Sequence, residues 1–448
     1  MEQDFKLSKY CHLYESDAAV IFYHSLTFEA LKIKYPFAEN LKITGKKIIG
    51  HQESPIINVL KEKGMITVSD AADDALLNEC RKEIRKPYIS TAYFFITQNC
   101  NLACTYCFER QSETENSKSV NMSCDTADAA IRFFSRLAKL DMQRFNEKKT
   151  VIFYGGEPFF NKKTLYHAIA GIEQAVAEGA LPANTKMIIV TNGTLLNNAD
   201  IQFVKEHNIT LTFSLDGDSE ASSNRLFPDM KTSSWEKATA TYKKCRDAGI
   251  DLNVACTLTP QTLDRKREIL DYFINDVQIK NIGFNAILDN DIIRLDAQYD
   301  ERAADFVVSS YDALTRAGIT ENRTRRRIQV FGARRLCLFD CNAAGGRQIA
   351  IAPTGEVGIC HEHIMDKKHF ITNVHEEFDP QQSSVYSEWQ RRSPLYMDEC
   401  QECQAIGVCG GGCVINVERK FDTIWKPDER FCKQTLSIFN QILLPSLQ

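Results

Sequence analysis

The sequence predicts an α/β protein: a partial (β/α)6 barrel between a small N-terminal module and a cysteine-rich C-terminal domain. Three observations carry this prediction. From residue 91 to about 290, short apolar runs alternate with longer amphipathic stretches, as in a parallel sheet covered by helices. Six such units fall short of the eight that close a full barrel, which leaves it open-sided. Finally, 11 of the 16 cysteines fall in two spacing-rich groups, at 100–107 and 337–432.

Residues 1–88 read as a separate, winged-helix-like module. Tyr10–Tyr14 and Ala18–Tyr23 suggest a strand pair, Pro55–Lys63 and Asp70–Ile84 suggest helices, and Gly64-Met65-Ile66-Thr67 reads as a turn into a short strand. The barrel occupies 89–325. Its strands are expected over Thr91–Thr97, Thr150–Tyr154, Lys186–Thr191, Thr210–Leu215, Asp251–Leu258 and Lys280–Leu288. The helical patterns between them are Thr126–Leu140, Lys163–Glu178, Ala199–Glu206, Trp235–Ala248 and Leu263–Asn275. A further helix is expected over Gln298–Gly318. The basic segment Arg323–Arg327 then leads into the cysteine-rich domain, 326–448.

A net charge of −5 gives no basic field for nucleic acid. No apolar run approaches a membrane span, and the N-terminus lacks a signal-peptide pattern. The expectation is a cytoplasmic protein with neither nucleic acid nor membrane as partner. In that compartment 16 cysteines point to metals or catalysis rather than disulfides. The scattered five (Cys11, Cys80, Cys124, Cys245, Cys256) read as ordinary core or surface residues.

Cys100, Cys104 and Cys107 follow the first strand with spacing C-x3-C-x2-C. Three thiolates so spaced can hold three irons of a four-iron, four-sulfur cluster, leaving the fourth iron open to a small molecule. A zinc half-site is the other reading, although zinc wants four ligands and no obvious fourth lies nearby. Gly155-Gly156-Glu157-Pro158 follows the second strand and Thr191-Asn192-Gly193 closes the third, so three motifs fall on the C-terminal face of the barrel.

The triad and Gly155–Pro158 together resemble the radical S-adenosylmethionine (radical SAM) superfamily over roughly residues 90–320. The resemblance implies that the amino and carboxylate groups of S-adenosylmethionine chelate the open iron. It places Tyr106 beside the adenine, Gly155 and Gly156 where the backbone approaches the ligand closely, and Glu157 as acceptor for the ligand's ammonium. Ser214 sits where relatives contact the ribose or carboxylate. Arg225 is placed to meet that carboxylate, and Thr191 and Asn192 are further cofactor-side candidates. No catalytic acid or base is implied.

The second cysteine group has the layout Cys341-x13-Gly355-x4-Cys360, a gap, then Cys400-x2-Cys403-x5-Cys409-x3-Cys413, a gap, and Cys432, with Cys337 upstream. Spacing alone leaves two structural zinc sites open. The layout resembles the SPASM extension of radical SAM enzymes, which implies two more four-iron, four-sulfur clusters and three in all. Cys337, Cys341, Cys360 and Cys413 would hold the nearer one, and Cys400, Cys403, Cys409 and Cys432 the outer one. The glycines between Cys409 and Cys413 suit a chain folded tightly around sulfide. His361 and His363 could be ligands or handle protons, and polar residues beside a cluster is the plainer reading.

The same resemblance implies a peptide maturase. The N-terminal module would take up the leader of a ribosomally made precursor peptide as an added strand. The expected product is an intramolecular side-chain crosslink, carbon–carbon and cyclophane-type, with thioether formation as the near alternative. An anaerobic sulfatase-maturating enzyme, forming formylglycine, is the other alternative; its relatives carry an acidic residue where this chain has His361. A flavodoxin- or ferredoxin-type donor would supply the low-potential electron.

Overall fold

The computed structural model describes residues 2–35, 37, 41–51, 54–67, 69–84, 87–111, 120–287 and 293–447. They form two compact units. One joins Met1–Arg85 with Thr324–Gly345 and Arg391–Gln448; the other joins Lys86–Arg323 with Gly346–Gln390. The stretch 346–390, expected with the cysteine-rich domain, thus packs with the barrel.

Among the described residues of the first unit, the strands before residue 68 are β1 (Glu2–Leu7), β2 (Cys11–Glu15), β3 (Ala19–His24), β4 (Ala30–Lys34), β5 (Lys42–Thr44), β6 (Lys47–His51) and β7 (Ile66–Thr67). They form a four-stranded sheet, ordered β5-β6-β1-β7, and a three-stranded sheet, β2-β3-β4. Every residue of β3 is buried, as its apolar composition demands. The helix Pro55–Glu62 starts on a proline, whose missing N–H costs nothing at that position, and buries Ile57 and Leu60. These side chains share a core with Phe5, Phe22, Ile48 and Met65. A second core joins Tyr10, Leu26, Leu77 and Ile84 to Leu395, Met397, Cys400 and Ile406. The N-terminal module is therefore fused through its hydrophobic core to the last cysteine group. Arg81 of the helix Asp70–Lys82 adds two hydrogen bonds to the Leu395 carbonyl, from Nε at 3.0 Å and Nη2 at 2.7 Å.

The second unit is built on a ten-stranded sheet. Its parallel strands are β8 (Thr91–Thr97), β9 (Thr150–Gly155), β10 (Lys186–Thr191), β11 (Thr210–Ser214), β12 (Leu252–Leu258), β13 (Asn281–Ala286) and β14 (Thr320–Glu321). On the other side of β8 lie β15 (Gln348–Ile351), also parallel, and the antiparallel β16 (Glu356–Gly358) and β17 (Phe370–Asn373). The six expected strands are present in order and nearly to the residue; Leu288, the expected end of the sixth, lies outside the described residues. The helix Cys124–Ala138 buries Ala127, Ala130, Ile131, Phe134 and Leu137 at helical spacing, and Ser123 caps it by accepting from the Thr126 N–H. The single helix expected over Leu263–Asn275 is broken instead. Thr259 and Thr262 form a capping box with Pro260 at the first turn, so a short helix Pro260–Asp264 starts early. Lys266–Asp271 follows, then a π-helical turn, Tyr272–Val277. No helix of the described residues is long and apolar enough to cross a membrane.

Candidate active site and cluster cysteines

The candidate site lies at the C-terminal ends of adjacent parallel strands. The loop carrying Cys100, Cys104 and Cys107 leaves β8, Gly155 ends β9, Thr191 ends β10 and Ser214 ends β11. The triad loop is pinned to the segment that bears Arg225: the Ala103 N–H donates to the Leu226 carbonyl at 2.6 Å and the Thr105 N–H to the Asn224 carbonyl at 3.1 Å. The Thr105 hydroxyl also donates to the Asn224 side chain at 2.7 Å. Crowding by protein atoms pushes the Cys100 thiol well up, and Glu157, Cys104 and Cys107 nearby push it further. Thiols crowded this way resist ionising together unless a cation joins them, and a metal cluster deprotonates its thiols outright. The donor set thus fits an iron–sulfur cluster held by three sulfurs.

Gly155 and Gly156 have a physical reason beyond ligand approach. A β-carbon on Gly155 would lie 2.1 Å from the Thr97 carbonyl oxygen, and one on Gly156 would lie 2.3 Å from that of Asn99. Gly155 also sits at φ +130°, a conformation side chains rarely adopt. The glycines let the exit of β9 press against the backbone that launches the triad. Glu157 is fully buried and its carboxylate is taken up inside the protein. Oε1 accepts from the Thr191 hydroxyl at 2.8 Å and the Phe159 N–H at 3.2 Å, and Oε2 from the Asn192 N–H at 2.8 Å. Burial nevertheless holds its pKa up at about 7.

Tyr106 and Arg225 meet through a residue that sequence reasoning missed, Asp216. The Arg225 guanidinium donates to it from Nε at 2.8 Å and Nη2 at 3.2 Å. The Thr257 N–H donates to it at 2.8 Å, and the Tyr106 hydroxyl donates to it as well. Asp216 is wholly buried and Arg225 nearly so. Burial works against the guanidinium's charge, but Asp216, Tyr106 and Cys104 outweigh it and hold the Arg225 pKa well above the ordinary value. The signal was in the run Ser214-Leu215-Asp216-Gly217: an acidic residue at the exit of a buried strand needs a cationic partner.

Beside the triad stands a half-buried aromatic group formed by Tyr93, Phe108, Tyr154 and His361. The His361 ring stacks on Tyr93 at 4.5 Å and 6°, and meets Tyr154 at 5.5 Å and Phe108 at 6.2 Å edge-on. Burial lowers its pKa to about 4, so the ring is neutral, and Nδ1 has no hydrogen-bond partner among the described residues. His363 differs: it is buried, with Nδ1 2.9 Å from Asp366.

In the first unit, Cys400, Cys403, Cys409 and Cys432 form one mutually repelling set. Burial raises the Cys400 pKa to about 12, with Cys409 and Cys403 adding, and Cys432 is raised by burial and by the other three. Four sulfurs so grouped fit a fully ligated metal centre. Gly410, Gly411 and Gly412 all have positive φ, at 79°, 82° and 73°, which lets the chain turn tightly between Cys409 and Cys413. The buried Arg392 holds that turn, donating to the carbonyls of Gly411, Ile424 and Lys426, each at 2.8 Å. Cys337 and Cys341 lie near Arg326, which pairs with Asp340 at 2.5 Å. Crowding by protein atoms raises the pKa of both thiols; Arg326 opposes this at Cys337, whereas at Cys341 Asp340 adds to the rise and Arg326 opposes it only weakly. Cys413 belongs to this unit and Cys360 to the other.

Residues 94–273 match the family model of the Radical SAM superfamily. The chain carries a radical SAM domain. It is accordingly an oxidoreductase that works by radical chemistry. Among curated proteins, it is 22% identical over 398 residues to the radical SAM cyclopropyl synthase TigE of Paramaledivibacter caminithermalis, covering 84% of this chain and 80% of that one. It is 24% identical over 356 residues to a cysteine-type anaerobic sulfatase-maturating enzyme of Clostridium perfringens, covering 71% and 86%. Among solved structures, anSMEcpe with bound AdoMet aligns with TM-score 0.65 at 18% identity over 80% of this chain and 98% of that one. Streptococcus suis SuiB bound to precursor peptide SuiA aligns with TM-score 0.52 at 14% identity over 96% and 99%.

Proposed function

We propose that this chain binds three four-iron, four-sulfur clusters and S-adenosylmethionine and oxidises a residue within a peptide or protein substrate. The observation that carries the proposal is the meeting, at the ends of four adjacent strands, of the Cys100–Cys107 loop, Gly155-Gly156, Asn192 and the Tyr106–Asp216–Arg225 group. When bound, the open-iron cluster and S-adenosylmethionine together supply a 5′-deoxyadenosyl radical able to take a hydrogen atom from an unactivated C–H bond. Cys100, Cys104 and Cys107 hold that cluster. Tyr106 and Arg225, locked by Asp216, present a ring face and a cation to the adenine and the carboxylate of S-adenosylmethionine. Thr191 and Asn192 are held by Glu157, and Ser214 lines the same rim. The Tyr93–Phe108–Tyr154–His361 group forms an apolar wall that keeps water from a radical and offers a face to a substrate side chain. The sequence spacing of Cys337, Cys341, Cys360 and Cys413 suits the ligands of the nearer auxiliary cluster, and that of Cys400, Cys403, Cys409 and Cys432 those of the outer one. Four cysteines for each cluster would leave no iron open to substrate, so both would supply electron transfer rather than substrate binding. A donor of flavodoxin or ferredoxin type would supply the low-potential electron.

Within this class, two products are in view. The higher TM-score to anSMEcpe, beside a sulfatase-maturating relative, favours oxidation of a serine or cysteine to formylglycine. The near-complete coverage by SuiB, a protein solved with a precursor peptide, and His361 in place of an acidic residue support the crosslinking reading. In a crosslink the substrate loses one hydrogen atom to the radical, and one proton and one electron afterwards. Anaerobic reaction with a sulfatase-motif peptide and with a precursor peptide, followed by mass spectrometry, separates the two. A hydrazide-reactive aldehyde marks formylglycine; loss of two hydrogens without one marks a crosslink. Peptides left unchanged while 5′-deoxyadenosine accumulates would contradict both readings.

A further inference from the structure

Asn192 is held in a closed ring of hydrogen bonds whose free end points at a cluster cysteine. Its Oδ1 accepts from the Thr194 hydroxyl at 2.7 Å. That hydroxyl oxygen accepts from Asn101 Nδ2 at 2.8 Å, and Asn101 Oδ1 accepts from Asn192 Nδ2 at 3.1 Å. Asn192 Oδ1 also accepts from the Thr194 backbone N–H at 2.9 Å. Because a backbone N–H can only donate, it fixes which end of the Asn192 amide is oxygen. Nδ2 has two hydrogens. One goes to Asn101, and the other is left for the Cys100 sulfur, 3.8 Å away. The Asn192 backbone is itself tied to Glu157, so the amide is anchored at both ends, and it is buried. Cys100 receives a second donor from the Leu102 N–H at 3.4 Å.

We propose that Asn192 sets the reduction potential of the first cluster through an N–H···S bond to Cys100, with Asn101 and Thr194 as its positioning residues. This rests on the reading that Cys100 is a cluster ligand. The physical reason is one of charge. One-electron reduction by a low-potential donor places one more negative charge on the iron–sulfur unit, part of it on the cysteine sulfurs. A donor aimed at such a sulfur stabilises the reduced state more than the oxidised one and raises the potential. The role differs from contact with S-adenosylmethionine, because it persists when that ligand is absent.

The test uses the full chain, reconstituted without oxygen. The first cluster's paramagnetic signal is identified as the one that changes when S-adenosylmethionine is added, and is then titrated potentiometrically in its absence. Asn192→Asp keeps an acceptor for Thr194 but loses the donor; Asn192→Ala loses both; Thr194→Val keeps the amide but loosens its aim. At the potential that half-reduces the wild type, Asn192→Asp and Asn192→Ala are expected to lower the reduced-to-oxidised ratio about tenfold, equal to about 59 mV for a one-electron couple. Thr194→Val should move it in the same direction by less. Iron and sulfide content should stay at the wild-type level. Ratios within twofold of the wild type in variants that retain the cluster overturn the inference and leave the functional reading standing. A wild type whose triad takes up zinc, or no iron, overturns the reading itself and the inference with it.

Discussion

Replacing Asp216 by Asn strikes the point where the triad loop and the Arg225 segment are held together. In the wild type the carboxylate lies 2.8 and 3.2 Å from two guanidinium nitrogens, with both residues buried. At about 3 Å and an effective dielectric constant of about 20, the attraction is roughly 5 kcal/mol, much of it offset by desolvation while the pair is intact. Asp216→Asn removes the attraction but leaves the guanidinium buried, and such a loss costs about 3–5 kcal/mol. Arg225→Met alone strands the carboxylate and should cost a similar amount. The double variant removes both charges and should recover most of the loss, so the cycle should show a coupling of at least about 2 kcal/mol. Urea denaturation reads this as a drop in midpoint at constant slope. Calorimetry on folded Asp216→Asn should show weakened S-adenosylmethionine binding, since Tyr106 and Arg225 are no longer fixed. Additive losses, or an Asp216→Asn variant within about 1 kcal/mol of the wild type, would refute the reasoning.

Other outcomes follow from the same geometry. The pKa of Glu157, held at about 7 against an ordinary 4.5, makes the folded chain bind a proton that the unfolded chain has released between those values. Its contribution to stability is therefore greatest below pH 4.5, falls by roughly 3 kcal/mol as pH rises to 7, and is level above; Glu157→Gln should lack this fall in a pH series of denaturation curves. Gly156→Ala puts a methyl group 2.3 Å from the Asn99 carbonyl oxygen and should lower stability by about 1–3 kcal/mol, with reduced iron uptake by the triad. Cys337→Ala should leave S-adenosylmethionine cleavage largely intact while abolishing oxidised peptide. Full product yield would show that the electron lost by the substrate does not leave through the nearer auxiliary cluster.

The barrel was legible because its strands are short apolar runs such as Lys186–Thr191, and its helices carry stripes at helical spacing. Less visible were β1, β4, β5 and β6. Segments such as Lys42–Thr44 are short and mostly polar, and pairing with neighbouring strands decides their conformation. The cysteine spacing exposed the candidate ligands directly, since ligand type and separation are local properties. What spacing does not carry is long-range pairing. Tyr106 reaches Asp216 across 110 positions and Asn192 reaches Cys100 across 92, and neither contact leaves a local pattern. The glycines of Gly155-Gly156 stand out in the sequence, but the carbonyls that exclude a side chain there come from the end of another strand.

The central claim is that three cysteines hold a cluster with one iron open to S-adenosylmethionine. The most direct measurement is anaerobic incubation of the reconstituted chain with dithionite and S-adenosylmethionine, quantifying 5′-deoxyadenosine for the wild type and Cys104→Ala. The account predicts sustained 5′-deoxyadenosine from the wild type and only background from the variant, with the other clusters still present in both. Equal amounts from the two proteins, or none from a wild type carrying its full iron and sulfide, would contradict it.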